Sequence, residues 1–236
     1  MERLQVTERH TFFMKYYLAP MEGLTTYNFR TNWNRCYGGM DKYFTPFISN
    51  RHMNSRERND VLPEHNVGMY TVPQILTNKA EEFLSLAEQL AGYGYHEVNL
   101  NLGCPSGTVV ARNRGAGFLG TPRELETFLD EIFEKCPLKI SIKTRIGMEC
   151  PDEWAPLLKI YQKFPMKELI IHPRLQKEGY KGTPHLEAFA EAVEALQCPL
   201  CYNGDITSPE SLTQILTKLP SIDTVMIGRG ILQNPG

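Results

Sequence analysis

The sequence has no strong excess of either charge, no apolar run of membrane length and no dense set of cysteines. Lys and Arg number 25 against 27 Asp and Glu, a net charge of -2, so any binding of RNA must use local patches. No apolar run approaches the length of a membrane span, and residues 1–13 lack the apolar centre of a signal peptide. The six cysteines are scattered over a chain too long to need disulfides. These absences predict a reduced, cytoplasmic protein.

Two short motifs lack the surroundings that their usual functions need. Gly115, Gly117 and Gly120 satisfy GxGxxG, but the preceding predicted strand ends about a dozen residues earlier and no acidic residue ends the following strand. A dinucleotide-binding fingerprint is therefore not predicted. Cys198 and Cys201 form a CxxC that leads into a strand, and no second pair completes a zinc site.

The residues that are present alternate between predicted strands and helices. The predicted strands are 16–19, 42–48, 70–76, 98–102, 138–146, 168–172, 199–203 and 224–227. The predicted helices cover 25–37, 78–91 and 154–161, with others beginning at Thr121, Thr183 and Ser208. Asn78 and Glu81 match a capping box, whereas residues 50–66 are polar and show no clear period.

Repeated strand–helix units imply parallel strands, and eight such units in a chain of this length predict a (β/α)₈ TIM barrel. The alternative is a doubly wound open sheet, which the polar residues at nearly every strand end disfavour. Residues 1–15 are expected to form a leader and residues 16–236 the barrel domain. Since the sequence stops after the eighth strand, before a covering helix, we expect a shortened form of a longer protein.

The segment 98–120 is the most informative stretch. Val98, Leu100 and Leu102 alternate with two asparagines, as in a buried strand, and Gly103, Cys104 and Pro105 follow at its carboxyl end. A thiol at that position lies where α/β enzymes keep their chemistry. Because the ordinary pKa of a cysteine is near 8.5, the thiol is mostly protonated at neutral pH and could act as a general acid.

Other strand ends supply groups that suit a phosphorylated heteroaromatic cofactor. Glycine-containing turns follow the last two strands, where barrels commonly bind phosphate, and Arg229 could add a charged contact. Lys143 could stabilise negative charge on a reduced flavin ring. No metal site is predicted, because a metal would need clustered His, Cys or carboxylate ligands, and the strand ends do not supply such a cluster.

Several motifs together resemble the tRNA-dihydrouridine synthase family. They run in order along the chain as APMEG (19–23), NLGCP (101–105), IKTRIG (142–147), IHPR (171–174), NGD (203–205) and IGRG (227–230). The family uses FMN, recharged by NAD(P)H, to reduce particular uridines of tRNA.

The resemblance implies roles for individual residues. Cys104 would protonate C5 of the uracil while hydride reaches C6. The implied FMN-binding residues are Pro20, Met21, Glu22, Gln74, Lys143, His172, Asn203, Gly204, Asp205, Gly228 and Arg229. The implied contacts to an extruded uridine are Asn101, Arg145 and Tyr180. The loop after Cys104 is less rich in lysine than is common in the family, and the family's C-terminal helical domain does not follow Gly236, so we expect this chain alone to bind tRNA poorly.

Each of these residues also has an ordinary structural interpretation. Cys104 could be a small buried apolar residue, Lys143 a surface lysine, His172 a bonded core residue, and the glycine segments plain turns; Tyr180 lies in a loop without periodic support.

Two other functions stay open. One is a flavin enzyme acting on free pyrimidines, similar to dihydroorotate dehydrogenase, and the other is an RNA-binding barrel without catalysis. The basic residues in loops after strands suit phosphate contacts: Arg51, Arg56, Arg58, Arg112, Arg114, Lys177 and Lys181.

Overall fold

Eight parallel strands close into a barrel in the computed structural model, which describes residues 14–233. The strands are β1 (Lys15–Leu18), β2 (Lys42–Ile48), β3 (Thr71–Ile75), β4 (Glu97–Leu102), β5 (Lys139–Arg145), β6 (Leu169–His172), β7 (Leu200–Tyr202) and β8 (Thr224–Ile227). Each strand pairs with the next in sequence, and β1 pairs with β8 to complete the ring. The predicted (β/α)₈ barrel is therefore confirmed and the open sheet is wrong.

Helices surround the strands. They are α1 (Tyr27–Cys36), α2 (Ser55–Val61), α3 (Ala80–Gly92), α4 (Gly107–Val110), α5 (Pro122–Lys135), α6 (Trp154–Tyr161), α7 (Leu186–Ala195), α8 (Pro209–Lys218) and α9 (Arg229–Gln233). No helix among residues 14–233 is long and apolar enough to cross a membrane. Of the predicted leader, only Met14 and Lys15 are described, and Lys15 already begins β1; residues 1–13 lie outside the described part of the chain.

The alternation along β5 shows why polar residues gather inside the barrel mouth. Ile140 and Ile142 belong to the main apolar core, which lies between the strands and the helices. Lys143 and Arg145 occupy the alternate positions of the strand and so face the other side of the sheet. Both line the cavity at the carboxyl end of the barrel. The strand thus supplies apolar packing on one side and cations on the other.

Two predicted helix starts are wrong. The Asn78–Glu81 capping box is absent, because Thr77 accepts the N–H of Lys79 at 3.2 Å and donates to Glu82 at 2.6 Å. The helix predicted from Thr183 begins at Leu186 instead. Before it, the N–H of His185 donates to the carbonyl of Pro173 at 2.7 Å, which ties this segment to the loop after β6.

The polar segment 50–66 contains a helix that its weak apolar period did not predict. Asn54 caps α2 by accepting the N–H groups of Arg56 and Glu57, and the Glu57 carboxylate accepts the N–H of Asn54 in return. Local capping rather than an apolar face therefore defines this helix.

The amino end of the barrel is closed by a buried ionic cluster. The Lys42 ammonium lies 3.2 Å from a carboxylate oxygen of Glu97 and 3.2 Å from one of Glu168. The hydroxyl of Tyr17 donates to Glu168 at 2.8 Å, and that of Tyr70 donates to Glu97 at 2.9 Å. Burial raises the pKa of Glu168, and the Lys42 charge opposes that shift. This cluster, here called the ionic floor, lies at the end of the barrel opposite the cavity.

Candidate active site

A cavity of about 740 Å³ opens at the carboxyl ends of the strands, a volume typical of sites for small molecules. Every site residue predicted from the sequence lines it except Gln74: Pro20, Met21, Glu22, Asn101, Cys104, Lys143, Arg145, His172, Tyr180, Asn203, Gly204, Asp205, Gly228 and Arg229. The barrel therefore brings residues from six strand ends together around one cavity.

Gln74 lies behind the cavity wall and is completely buried. Its amide oxygen accepts a hydrogen bond from Asn101 at 2.7 Å, and its amide nitrogen donates to Asn99 at 2.8 Å. Asn99 in turn donates to the hydroxyl of Ser141 at 3.0 Å. In the structure, Gln74 supports Asn101 and does not line the cavity.

Cys104 is held by the side chain of Asn101. The amide oxygen of Asn101 accepts the N–H of Gly103 at 3.0 Å and that of Cys104 at 2.9 Å. Gly115 packs against the same loop with a φ of +56°, and a Cβ there would lie 2.9 Å from the Cys104 carbonyl oxygen. Only glycine fits this close approach. The backbone that carries the Cys104 thiol is thus fixed from both sides.

The surroundings of the Cys104 thiol favour its protonated form. Burial raises its pKa above the ordinary value. A hydrogen bond from the Ser106 backbone and the charges of Lys143 and Arg145 only partly oppose that shift. Protonated thiols are weak nucleophiles but can donate a proton. The environment therefore favours an acid over a nucleophile.

Lys143 has no hydrogen-bond or ion-pair partner within residues 14–233. Burial lowers the pKa of its ammonium group to about 8, and the Arg145 charge adds to that effect. The side chain is half-buried at the cavity wall, where a charge without a partner is costly, so the position suits an anionic or electron-rich ligand group. This is the clearest sign that the cavity is shaped for a ligand.

The two carboxylates that line the cavity are already paired with arginines. Glu22 accepts from Arg56 at 3.0 Å, and Asp205 accepts from the buried Arg174 and, at 3.4 Å, from Arg229. These pairs leave the ammonium of Lys143 and most of the exposed Arg229 guanidinium available to a ligand. The cavity therefore offers more cationic than anionic groups.

The loops after β7 and β8 pack directly on each other. A Cβ at Gly230 would lie 2.1 Å from the carbonyl oxygen of Ile206, so only glycine allows this contact. Asn203 donates to the carbonyl of Met226 at 2.8 Å and fixes the two strand ends. The segment predicted as a turn, Gly228 to Gly230, includes the start of the short helix α9 at Arg229.

Tyr180 lies at the rim with its side chain half exposed. Its ring stacks on His172 with the centroids 6.0 Å apart, and the Arg229 guanidinium lies 4.4 Å from its centre. The Arg145 guanidinium lies 5.4 Å from the same ring. The loop that carries Tyr180 is thus close to the cations of the site.

Arg145 is 1% exposed and spans two loops. Its Nε donates to the carbonyl of Gly103 at 2.9 Å, and its Nη1 donates to that of Leu175 at 3.0 Å. Gln176 adds a second link, because its amide donates to the carbonyl of Pro105 at 3.1 Å. The Cys104 loop and the Tyr180 loop are therefore joined.

Sequence reasoning missed Arg174, which is buried beside His172 and holds Asp205. Its only signal was its place in the IHPR segment. The reasoning also missed the roles of Asn99 and Gln176, for which the sequence gives no pattern.

The comparisons with known proteins agree with this geometry. The sequence model of "Dihydrouridine synthase (Dus)" matches residues 17–236. A "Probable tRNA-dihydrouridine synthase" of Staphylococcus epidermidis (strain ATCC 12228) is 32% identical over 235 residues, which cover 92% of this chain and 69% of the relative. A "tRNA-dihydrouridine(16) synthase" of Pseudomonas putida is 29% identical over 232 residues, covering 94% of this chain and 71% of the relative.

Solved structures share the fold at low identity. Morphinone reductase superposes with a TM-score of 0.62 at 12% identity, covering 92% of this chain and 82% of that one. Histamine dehydrogenase from Rhizobium sp. 4-9 gives 0.65 at 11% identity, covering 94% of this chain and 44% of that one. These similarities concern the barrel architecture alone.

Proposed function

The chain belongs to the dihydrouridine synthase family, and from that premise we propose that it reduces the C5=C6 bond of uridines in tRNA, with FMN as cofactor and NAD(P)H as reductant. Residues 16–236 would form the FMN-binding catalytic domain, and a tRNA substrate favours a cytoplasmic location. The observation that carries the proposal is that two groups line the same cavity: the Cys104 thiol, whose pKa is raised by burial, and the Lys143 ammonium, which has no partner within residues 14–233.

The residues of the cavity fit FMN. Lys143 would contact the electron-rich pyrimidine part of the ring, and His172 would lie beside it. Arg229 and the backbone N–H groups of Gly204 and Gly228 would hold the phosphate. Pro20, Met21, Glu22, Asn203 and Asp205 complete the wall, and Gln74 would act through Asn101. When bound and reduced, FMN supplies a hydride for C6 of the uracil.

Cys104 would donate the proton that C5 needs. One hydride at C6 and one proton at C5 add the elements of H₂ across the double bond, and the thiol becomes a thiolate. The positive charges of Lys143 and Arg145 would stabilise that thiolate until a solvent proton replaces the one it donated.

Asn101 and Arg145 retain donors for the uracil base after their structural bonds are counted. The amide oxygen of Asn101 accepts two backbone N–H groups, but only one of its two amide hydrogens is used, by Gln74. Arg145 uses Nε and Nη1 for backbone carbonyls, which leaves the N–H groups of Nη2 for a ligand. Both residues would therefore orient the base as well as support the loops.

A uridine must leave the base stack to reach this cavity, since a stacked base cannot lie against a ring inside the barrel. The exposed basic side chains of Arg58, Arg112, Lys177 and Lys181 would contact phosphates, Lys177 after leaving its exposed pair with Glu149 at 3.8 Å. Arg114 is a weaker candidate, because it donates to Glu82 and to the carbonyl of Ser49, each at 3.1 Å. Arg51 and Arg56 form exposed ion pairs that a phosphate could replace.

The proposal is tested with the intact protein, NADPH and FMN, using a tRNA transcript that lacks dihydrouridine. We expect dihydrouridine in the digested tRNA and no reduction of free uridine or dihydroorotate formation from orotate. Reduction of a free pyrimidine but not of tRNA would favour the small-substrate flavin enzyme. Binding of tRNA without bound flavin would favour the non-catalytic RNA-binding barrel.

A further inference from the structure

Arg174 follows β6 by two residues and uses every N–H of its guanidinium. Nε donates to the carbonyl of Lys181 at 3.0 Å, and Nη2 donates to the carbonyl of Gly182 and to the Asp205 carboxylate. Nη1 donates to Asp205 at 3.0 Å and meets Nε2 of His172 at 3.1 Å. The residue is 1% exposed. Five donors in a planar fork are matched by five acceptors, which a lysine could not reproduce.

The contact with His172 determines where that ring carries its proton. A guanidinium can only donate, so Nε2 of His172 must accept and cannot itself be protonated. In a neutral ring the proton then resides on Nδ1. No hydrogen bond to Nδ1 is formed within the described residues. His172 lines the cavity, so this N–H is the donor that the ring retains for a ligand.

We propose that Arg174 is a positioning residue that holds His172 in the neutral Nδ1–H tautomer and thereby makes it a hydrogen-bond donor for the flavin. The identity of the ligand rests on the function proposed above, whereas the tautomer rests on the protein alone. Arg174 does not line the cavity and would act only through the groups it holds.

The electrostatic surroundings of His172 support a neutral ring. Burial lowers its pKa well below the ordinary value, and the charges of four cations lower it further: Arg145, Lys143, Arg174 and Arg229. Those cations come from β5, from the loop after β6 and from the start of α9. The Asp205 carboxylate, which also lines the cavity, is bonded to Arg174, and the Tyr180 ring stacks on the imidazole.

Arg174 also connects the part of the cavity that would hold the flavin ring with the part that would hold the FMN phosphate. Asp205 has a φ of +44°, in the left-handed region that few residues other than glycine adopt, and Arg174 binds its carboxylate through two nitrogens. The Lys181 and Gly182 carbonyls immediately follow Tyr180 along the chain. Loss of Arg174 should therefore release His172, the Tyr180 loop and the Asp205 turn together.

The experiment is ¹⁵N NMR of the histidine side chains in the intact protein, with and without FMN. His172 is assigned by the loss of its signal in His172→Gln. In the wild type we expect protonated Nδ1, unprotonated Nε2 and no titration between pH 5.5 and 8. In Arg174→Gln we expect both tautomers, a titration that moves toward neutral pH, and FMN binding at least about tenfold weaker.

Arg174→Lys keeps the charge but loses the fork, so it should restore FMN binding only in part. Arg30→Gln is the matched control, because Arg30 is also an almost fully buried arginine, donates to Thr25, Asp60 and Asn66, and does not line the cavity. It should leave the His172 tautomer unchanged.

Protonated Nε2 in the wild type, or an unchanged tautomer and titration in both Arg174 variants, would overturn the inference. Because the wild-type spectrum alone decides the first point, the test does not depend on a variant folding. Failure of the wild type to bind FMN would instead contradict the proposed function and leave the tautomer result to be judged by itself.

Discussion

Replacement of Lys143 by Met should weaken FMN binding without disturbing the barrel. Lys143 contributes a cation that has no protein partner within residues 14–233, so its removal leaves no carboxylate unpaired. A hydrogen bond to a charged group contributes about 1.5–3 kcal/mol, and we therefore expect Kd for FMN to rise roughly 10- to 150-fold at pH 7. Lys139→Met is the control, since Lys139 is exposed at the other end of the same strand.

The dependence of FMN binding on pH provides a second test of the role of Lys143. With a pKa of about 8 in the flavin-free protein, Lys143 is charged in about 90% of molecules at pH 7 and about 10% at pH 9. A lowered pKa means that the charge is lost as pH rises through 8, so FMN binding should weaken about tenfold between pH 7 and 9. Lys143→Arg stays charged over this range and should remove most of that dependence.

The assay is quenching of flavin fluorescence on titration with flavin-free protein, carried out with FMN and with riboflavin. Because Lys143 is assigned to the ring, Lys143→Met should weaken the binding of both ligands by similar factors. FMN binding by Lys143→Met as tight as that of the wild type at pH 7 would refute a contact between Lys143 and the flavin ring. The wild-type decline in FMN binding above pH 8, if it persisted in the variant, would refute it as well.

Three further outcomes follow from particular contacts. Arg229→Ala should weaken FMN binding about tenfold or more but leave riboflavin binding nearly unchanged, because riboflavin has no phosphate; equal losses for both ligands in the same titration would contradict this assignment. Lys42→Met leaves two buried carboxylates without their cation. It should therefore lower the free energy of unfolding, measured by urea denaturation, by about 3–5 kcal/mol. A loss under about 1 kcal/mol would show that the ionic floor contributes little to stability. Gly230→Ala should weaken FMN binding and stability together, since its Cβ would meet the Ile206 carbonyl 2.1 Å away; an unaffected thermal midpoint and Kd would argue against tight contact of these loops.

The barrel could be predicted from the sequence because its two periodicities are strong. The predicted strands 42–48 and 224–227 match β2 and β8, and the helix predicted at 154–161 matches α6. Inward and outward residues alternate along each strand, and the helices repeat apolar residues on one face. Motif spacing then placed most of the candidate residues at strand ends, which a closed barrel must bring to one rim.

The depth of Gln74, which the structure places behind the cavity wall, shows what such patterns omit. Its depth depends on the stagger between β3 and β4, in which Gln74 pairs with Asn99 and lies below Asn101. A sequence pattern gives the order and parity of strand residues but not this stagger. The sequence therefore predicts Gln74 at the rim together with the other candidate residues, although in the structure it lies one layer deeper in the barrel.

The role of Arg174 could not be predicted for a related reason. Its partners are backbone carbonyls of a following loop and a carboxylate after the next strand, so the network exists only when two loops pack together. Likewise, α2 is defined by the reciprocal bonds of Asn54 and Glu57, a signal that is easily overlooked in a segment without an apolar period.

The most direct measurement is the rate at which the FMN-loaded Cys104→Ala protein forms dihydrouridine in tRNA, compared with the wild type at equal flavin content. A positioned general acid contributes about 10²- to 10⁴-fold, so the variant should keep its flavin and its rate of reduction by NADPH but form dihydrouridine at least about 100-fold more slowly. Equal rates of dihydrouridine formation in the two proteins would show that this thiol does not supply the proton.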